Sequence, residues 1–317
     1  MSEQLTLPRG RELSGKSILK EQLQVLVVSL RPHQWVKNTL VFSGLIFAQL
    51  LSQPDRIVAG LWAFTAFCMA SSAIYLLNDL RDLEEDRRHP TKKLRPLAAG
   101  TLNPAVAAAM MVLLLAGAGA IGLLLPSRFL LVLGVYALVN VGYSLGLKKA
   151  VILDVMLIAS GFVFRAAAGA LAVGVLPSHW LVLCTFLLAL LVGFGKRRNE
   201  LVLLRDAAGD HRQTLTGYSL TFLDMMMGIC GAAAIVTYSL YTMAPETQGR
   251  FGTRALVLTT PCVLYGIFRY LYLVHKRNDG GDPARLFVAD RPTLLNVVAW
   301  LAFVCFIVYG PEEWRPW

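Results

Sequence analysis

A chain of 317 residues that is 56% hydrophobic and only 16% charged, with a mean hydropathy of +0.57, does not have water as its main solvent; it reads as a polytopic membrane protein. Its formal net charge of +10 is spread over short loops with no aromatic-studded basic domain, which argues against nucleic acid as a partner. The five cysteines, Cys68, Cys184, Cys230, Cys262 and Cys305, lie inside apolar stretches without CxxC spacing, which excludes a disulfide framework or a zinc site.

The amino-terminal stretch is polar and charged, unlike a cleavable signal peptide. Residues 17–30 are too short and too polar to span and fit an amphipathic helix lying in the interface, ended by Arg31-Pro32. The expected organisation is a polar tail with an interfacial helix over 1–30 and a single transmembrane catalytic domain over 31–317, all-α. About nine apolar stretches of spanning length follow, near 36–53, 57–79, 103–125, 128–147, 151–176, 178–195, 219–243, 254–275 and 292–310. Gly and Ala recur within them, as in 116–120 and 166–170, which suits close helix packing in lipid.

The second stretch runs into Asn78-Asp79-Leu80-Arg81-Asp82-Leu83-Glu84-Glu85-Asp86. If the helix continues, Asp79, Asp82 and Asp86 recur at i, i+3 and i+7 and share a face, with Asn78 four residues before Asp82. Carboxylates packed that closely repel one another unless a cation sits between them, and hard oxygen ligands suit Mg²⁺. Lys92, Lys93 and Arg95 follow closely and supply countercharge for a polyphosphate. Glu84 and Glu85 fall off that face and read as surface charge.

With the amino terminus in the cytoplasm, most of the 30 Lys and Arg residues fall on the cytoplasmic side, which fixes orientation. The unusual polar motifs collect there too, in one candidate mouth: Arg31 to Asn38, the aspartate run, Tyr143 to Lys149, and Gly195 to Glu200. Trp35 and Tyr143 read either as interfacial belt residues or as site residues, and Lys148 and Lys149 either as topology anchors or as site cations. Asp154, near the start of the fifth span, and Arg165, roughly three turns deeper, are ionisable groups inside the membrane and candidates by default; Arg165 is expected to face the bundle interior with an acidic or phosphate partner, the alternative being a structural partner for a buried carboxylate. His33 and His89 lack metal-ligand spacing and suit hydrogen bonding or helix ends.

Nine spans with an Asn-Asp-x-x-Asp-x-x-x-Asp run after the second resemble the UbiA-type prenyltransferase superfamily. Arg31-Pro32-His33-Gln34-Trp35-Val36-Lys37-Asn38, the segment Asn78 to Gly100, and Tyr143-Ser144-x-x-Leu147-Lys148 with Leu153-Asp154-Val155 resemble its decaprenyl-phosphate phosphoribosyltransferase branch. The resemblance covers residue 30 to the end. It implies transfer of 5-phosphoribose from phosphoribosyl diphosphate to a polyprenyl phosphate, with Mg²⁺, in cell-envelope biosynthesis at the bacterial inner membrane.

On that resemblance Asn78, Asp79, Asp82 and Asp86 would hold Mg²⁺ against the diphosphate, and Lys37, Lys92, Arg95, Lys148, Lys196 and Arg197 would neutralise donor and acceptor phosphates. Tyr143 and Asp154 would orient the ribose or its 5-phosphate, Asp154 dispersing charge as the anomeric carbon becomes oxocarbenium-like. Arg165 and Glu200 join the substrate-binding candidates. An acceptor that is already anionic needs no strong base, consistent with the lack of a convincing catalytic His, Ser or Cys. The expected partners are phosphoribosyl diphosphate, polyprenyl phosphate and membrane lipids, and self-association as a homo-oligomer stays open.

Superfamily members that prenylate neutral acceptors carry a second aspartate motif after the sixth span. Here that loop opens Lys196-Arg197-Arg198, which suits two phosphorylated substrates, yet Asp206 and Asp210 have the spacing of the second motif. They keep a prenyltransferase acting on an aromatic or quinone-precursor acceptor as the alternative. A transporter would share the many helices, but no inverted repeat is visible and the charge collects at one face.

Overall fold

The structure, a computed structural model, describes residues 15–88, 91–205, 215, 217–277 and 289–310. Among the described residues it is all helical. Helix α1 (Gly15–Leu30) stops at Arg31, whose backbone is left-handed at φ 54°, ψ 57°. A 3-10 helix (Pro32–Phe42) and a short α2 (Ser43–Phe47) follow. Next come α3 (Pro54–Arg81), α4 (Leu83–Arg88), α5 (Pro104–Leu123), α6 (Ser127–Leu145), α7 (Leu153–Ala172) and α8 (His179–Arg205). The chain then forms α9 (Leu220–Met243), α10 (Pro245–Phe251), α11 (Thr260–Arg277) and α12 (Arg291–Tyr309).

Eight helical segments among the described residues are long and apolar enough to cross a membrane, which makes this an integral membrane protein. The ninth expected span, near 36–53, is not one regular helix. At about 2.0 Å per residue for the 3-10 turn and about 1.5 Å for α2, the pair still reaches about 30 Å, the thickness of a hydrocarbon core.

Helices α3 and α7 are the centre of the bundle: 56% and 50% of their apolar windows are buried inside the protein, against 17–28% for the other six. Small residues make this possible. Ala166, Ala168, Gly169, Ala170 and Ala172 let α7 approach its neighbours closely, and a Cβ on Gly169 would collide with the Val41 carbonyl, while one on Gly44 would lie 2.5 Å from the Ala170 Cα. The 3-10 helix and α2 therefore pack backbone to backbone on α7. Two apolar clusters flank α7, one built around Phe67, Phe129 and Tyr136 and the other around Leu223, Met227 and Tyr270.

The aspartate run does not continue α3, as the sequence suggested. The helix ends at Arg81, Asp82 leaves helical geometry at φ −91°, ψ 15°, and α4 restarts at Leu83 with acidic residues in its first turn and basic ones in its last, matching the helix dipole. The return loop is pinned by Leu97 and Leu102, which pack with Leu76, Ala107 and, from α1, Val25 and Leu26. That anchoring brings Arg95 back over the end of α3.

Candidate active site

Asp79, 6% exposed, sits between two arginines from different segments. Arg31 Nη2 donates to both of its oxygens at 2.5 and 2.8 Å and stacks over the Tyr75 ring, and Arg95 Nη1 donates to Oδ1 at 3.0 Å. The same Arg95 nitrogen donates to Asp86 Oδ2 at 2.6 Å, and Lys92 Nζ lies 3.7 Å from Asp86 Oδ1. Two buried carboxylates from α3 and α4 thus converge on one cation. Asp82 points elsewhere: Lys148 Nζ, from the α6–α7 connection, donates to both its oxygens at 2.8 Å. Asn78 accepts a short hydrogen bond from the Ser144 hydroxyl of α6. The four oxygen-bearing side chains therefore divide, because the helix break at Asp82 takes that residue off the Asp79 face. Among the described residues no three or more His, Cys, Asp or Glu side chains gather closely enough to hold a metal ion.

The carboxylates still suit Mg²⁺. It commonly takes one or two carboxylates and completes its shell with water and substrate phosphate. Asp79 and Asp86 provide two hard oxygen donors around a single position, which the Arg95 guanidinium occupies as the cation.

A cavity of about 1180 Å³ opens beside Asp79. Arg31, His33, Lys37, Arg95 and Lys196 line its charged end; Leu40, Phe162, Leu188, Leu191, Val263 and Ile267 line its middle; Thr247 and Arg250 line the far end, beyond the last turn of α9. It thus joins a cationic mouth to an apolar interior running much of the bundle's length.

The remaining charged candidates do not line this cavity. Asp154 is fully buried with both oxygens engaged, Oδ2 by Arg197 Nε at 2.7 Å and Oδ1 by the Tyr218 hydroxyl at 2.7 Å. Arg197, 2% exposed, reaches Glu200 with its other arm. Tyr218 accepts from the Ile152 backbone N–H at 2.6 Å, holding a β-branched residue at φ 70° at the entry to α7. Burial and the bond to Asp154 push the Tyr218 hydroxyl's pKa up, so it stays a donor. Tyr143 is half-buried in the last turn of α6, within electrostatic range of Arg197.

Arg165 faces the bundle interior, 5% exposed, but its partners are neutral and not acidic. It donates to Asn38 Oδ1 at 2.7 Å, Gly161 O at 2.7 Å and the Tyr136 hydroxyl at 2.8 Å, and its guanidinium lies over the Tyr136 ring. Asn38 in turn donates towards Ser71 Oγ at 3.2 Å. Arg165 therefore ties the 3-10 helix to α6 and α7.

Three successive cations on α8 point three ways, as roughly 100° steps require: Lys196 to the cavity, Arg197 to Asp154 on α7, Arg198 to Asp224 on α9. The single expected mouth is thus a cavity site plus a buried network. Asp206 and Asp210, like His89, lie outside the described residues. Sequence reasoning placed Arg31 and Asn38 in the first motif of the mouth but gave neither a role of its own; the signal at Asn38 is an amide at the head of an apolar stretch. Tyr218, 64 residues from Asp154, has no local signal.

Comparison with known proteins adds a family to this geometry. The UbiA prenyltransferase family matches residues 39–291. The decaprenyl-phosphate phosphoribosyltransferase of Corynebacterium glutamicum is 33% identical over 288 residues, covering 90% of this chain and 86% of the relative. The enzyme of the same name from Mycolicibacterium smegmatis is 30% identical over 303 residues, 92% of this chain and 94% of the relative. A UbiA homologue from Archaeoglobus fulgidus, solved bound to DMAPP and Mg²⁺, superposes with a TM-score of 0.65 at 17% identity over 88% of this chain and 97% of its own, a likeness of fold.

Proposed function

The chain belongs to the UbiA prenyltransferase family, and on that premise we propose that it transfers 5-phosphoribose from phosphoribosyl diphosphate to the phosphate of a polyprenyl lipid such as decaprenyl phosphate, releasing diphosphate. The observation that carries the reading is the junction of a cationic mouth and a long apolar cavity at Asp79: Arg31, Lys37, Arg95 and Lys196 supply charge for two phosphorylated substrates, and the apolar run takes a lipid tail. A neutral aromatic acceptor would not call for that density of cations.

In the reaction the anomeric carbon loses its bond to the diphosphate oxygen and gains one to a lipid phosphate oxygen. The acceptor is already an anion, so no side chain has to remove a proton. Asp79 and Asp86 would hold Mg²⁺, which when bound would neutralise the departing diphosphate, while Asp82 and Asn78 are engaged by Lys148 and Ser144. Arg95 bridges the two carboxylates, and its planar fork would suit the donor's phosphate equally. Lys92 flanks Asp86 and Lys148 holds Asp82, and both add charge on the donor side. Catalysis is alignment plus electrostatic stabilisation. The excess of Lys and Arg in the loops on the mouth's side supports a reading in which this face meets the cytoplasm, at a bacterial inner membrane.

The test is diphosphate release by purified protein given phosphoribosyl diphosphate and polyprenyl phosphate. Turnover is expected with that pair, with loss in EDTA and recovery in Mg²⁺, and with a roughly 100-fold fall in an Asp79→Asn protein that still inserts and folds. Turnover only with a prenyl diphosphate and an aromatic acid would overturn the reading.

A further inference from the structure

The segment from Arg31 to Gly44 carries a three-residue burial pattern. Positions 38, 41 and 44 are buried and positions 33, 36 and 39 are exposed, while positions 31, 34, 37, 40 and 43 are half-buried, as are Pro32, Trp35 and Phe42; all five of that row line the cavity, together with His33, Val36 and Gly44. Such a period follows from the 3-10 conformation, in which residues three apart eclipse. In an α-helix the same five positions would drift by about 60° per step and could not share one face. The packed face explains why the segment is held this way. Asn38 binds Arg165 and Ser71, Trp35 Nε1 donates to Ser72 Oγ at 3.1 Å, and Gly44 meets the α7 backbone. A 3-10 run of 11 residues is long for its kind, so this geometry is imposed by its neighbours.

The cavity face is graded along its length. It opens with Arg31, committed to Asp79, then passes Gln34 and Lys37, and turns apolar at Leu40. Polarity changes over about 18 Å, three turns at about 2.0 Å per residue. A multiply charged, fully hydrophilic donor has no use for such a gradient, whereas a long-chain lipid monophosphate matches it end to end.

We infer that this row is the acceptor's track, and that Lys37 is the residue selecting its phosphate: the headgroup stops at Lys37 and Gln34, and the first isoprene units descend past Leu40 and Ser43. The assignment rests on the proposed phosphoribosyl transfer and divides its cations, giving Lys37 to the acceptor and the Asp79–Asp86–Arg95 cluster to the donor.

The experiment moves the charge along the row. In full-length protein in nanodiscs, binding of polyprenyl phosphate, polyprenol and phosphatidic acid is measured by native mass spectrometry, beside separate KM values for donor and acceptor. Lys37→Gln is expected to weaken polyprenyl phosphate binding and raise the acceptor KM roughly 10- to 150-fold, leaving polyprenol binding and the donor KM unchanged. Gln34→Lys with Lys37→Gln, which shifts the cation one turn on the same face, is expected to restore most of the loss. Thr39→Lys with Lys37→Gln, on the exposed face, is expected to restore none. If Lys37→Gln fails to fold, Gln34→Glu sets a like charge against the phosphate and is expected to weaken the same ligand. Unchanged acceptor affinity, rescue from position 39 equal to that from 34, a donor KM that rises instead, or tighter binding of phosphatidic acid than of polyprenyl phosphate would overturn the track. If the wild type binds polyprenyl phosphate with this pattern but releases no diphosphate, the transfer reading fails and the track stands.

Discussion

Lys196 and Arg197 are neighbours in one basic run, yet the fold gives them opposite work. Lys196 is exposed at the cavity rim; Arg197 is 2% exposed and locked to Asp154 and Glu200. The same division separates Arg95, which is 30% exposed and shared between two carboxylates, from Arg165, buried among neutral acceptors. Inside a membrane a cation is costly wherever it sits, so its presence marks a demand but not which demand. The discriminator is whether its hydrogen-bonding capacity is already saturated by the protein, because a saturated buried ion builds the scaffold and a group at the rim can rearrange for a ligand.

The largest effect is expected in the buried network. Asp154→Ala or Arg197→Ala leaves an uncompensated buried charge and should cost about 3–5 kcal/mol of stability, seen as a fall in the unfolding midpoint in detergent. An Arg197→Ala protein with wild-type stability and only a raised substrate KM would erase the distinction. Its neighbour gives the contrast: Lys196→Gln should fold normally and raise a substrate KM by a charge-assisted contact, roughly 1.5–3 kcal/mol. A stability loss there, with KM unchanged, would move Lys196 into the scaffold.

The smallest effect belongs to Asp290, a scaffold carboxylate just before the last span. Asp290 caps α12 by accepting from the Thr293 N–H and hydroxyl at 3.1 and 2.7 Å, and the Arg269 fork holds its carboxyl well below the usual range. Asp290→Ala should cost about 1 kcal/mol. A carboxylate with a depressed folded pKa contributes fully above its unfolded value of about 3.9 and loses that contribution as pH falls through the folded value. The stability gap between wild type and variant should therefore be flat from pH 8 to 5 and close only below about pH 4. A gap that narrows between pH 7 and 6 would show that another group titrates.

Much was legible without coordinates. Apolar length fixed the spans because lipid demands helices with all backbone bonds satisfied internally, and the run from Asn78 to Asp86 stood out as a candidate because carboxylates packed that closely repel one another unless a cation sits between them. The same signals misled where tertiary contacts decide. The helix ends at Arg81, with Lys148 holding Asp82 from a segment 66 residues away. Arg165 found an amide and a phenol instead of an acid, because close packing at Gly44 and Gly169 brings Asn38 within reach. The three-residue period of the segment from Arg31 to Gly44 was invisible to a search for α-helical spans.

The sequence by itself determined the membrane, the helices and the stock of carboxylates and cations, since these depend on local polarity and spacing along one chain. Which of those ions line the cavity and which are locked inside the bundle was decided only by tertiary structure, because saturation of a buried charge is a property of groups brought together from distant segments, such as Asp154, Arg197 and Tyr218.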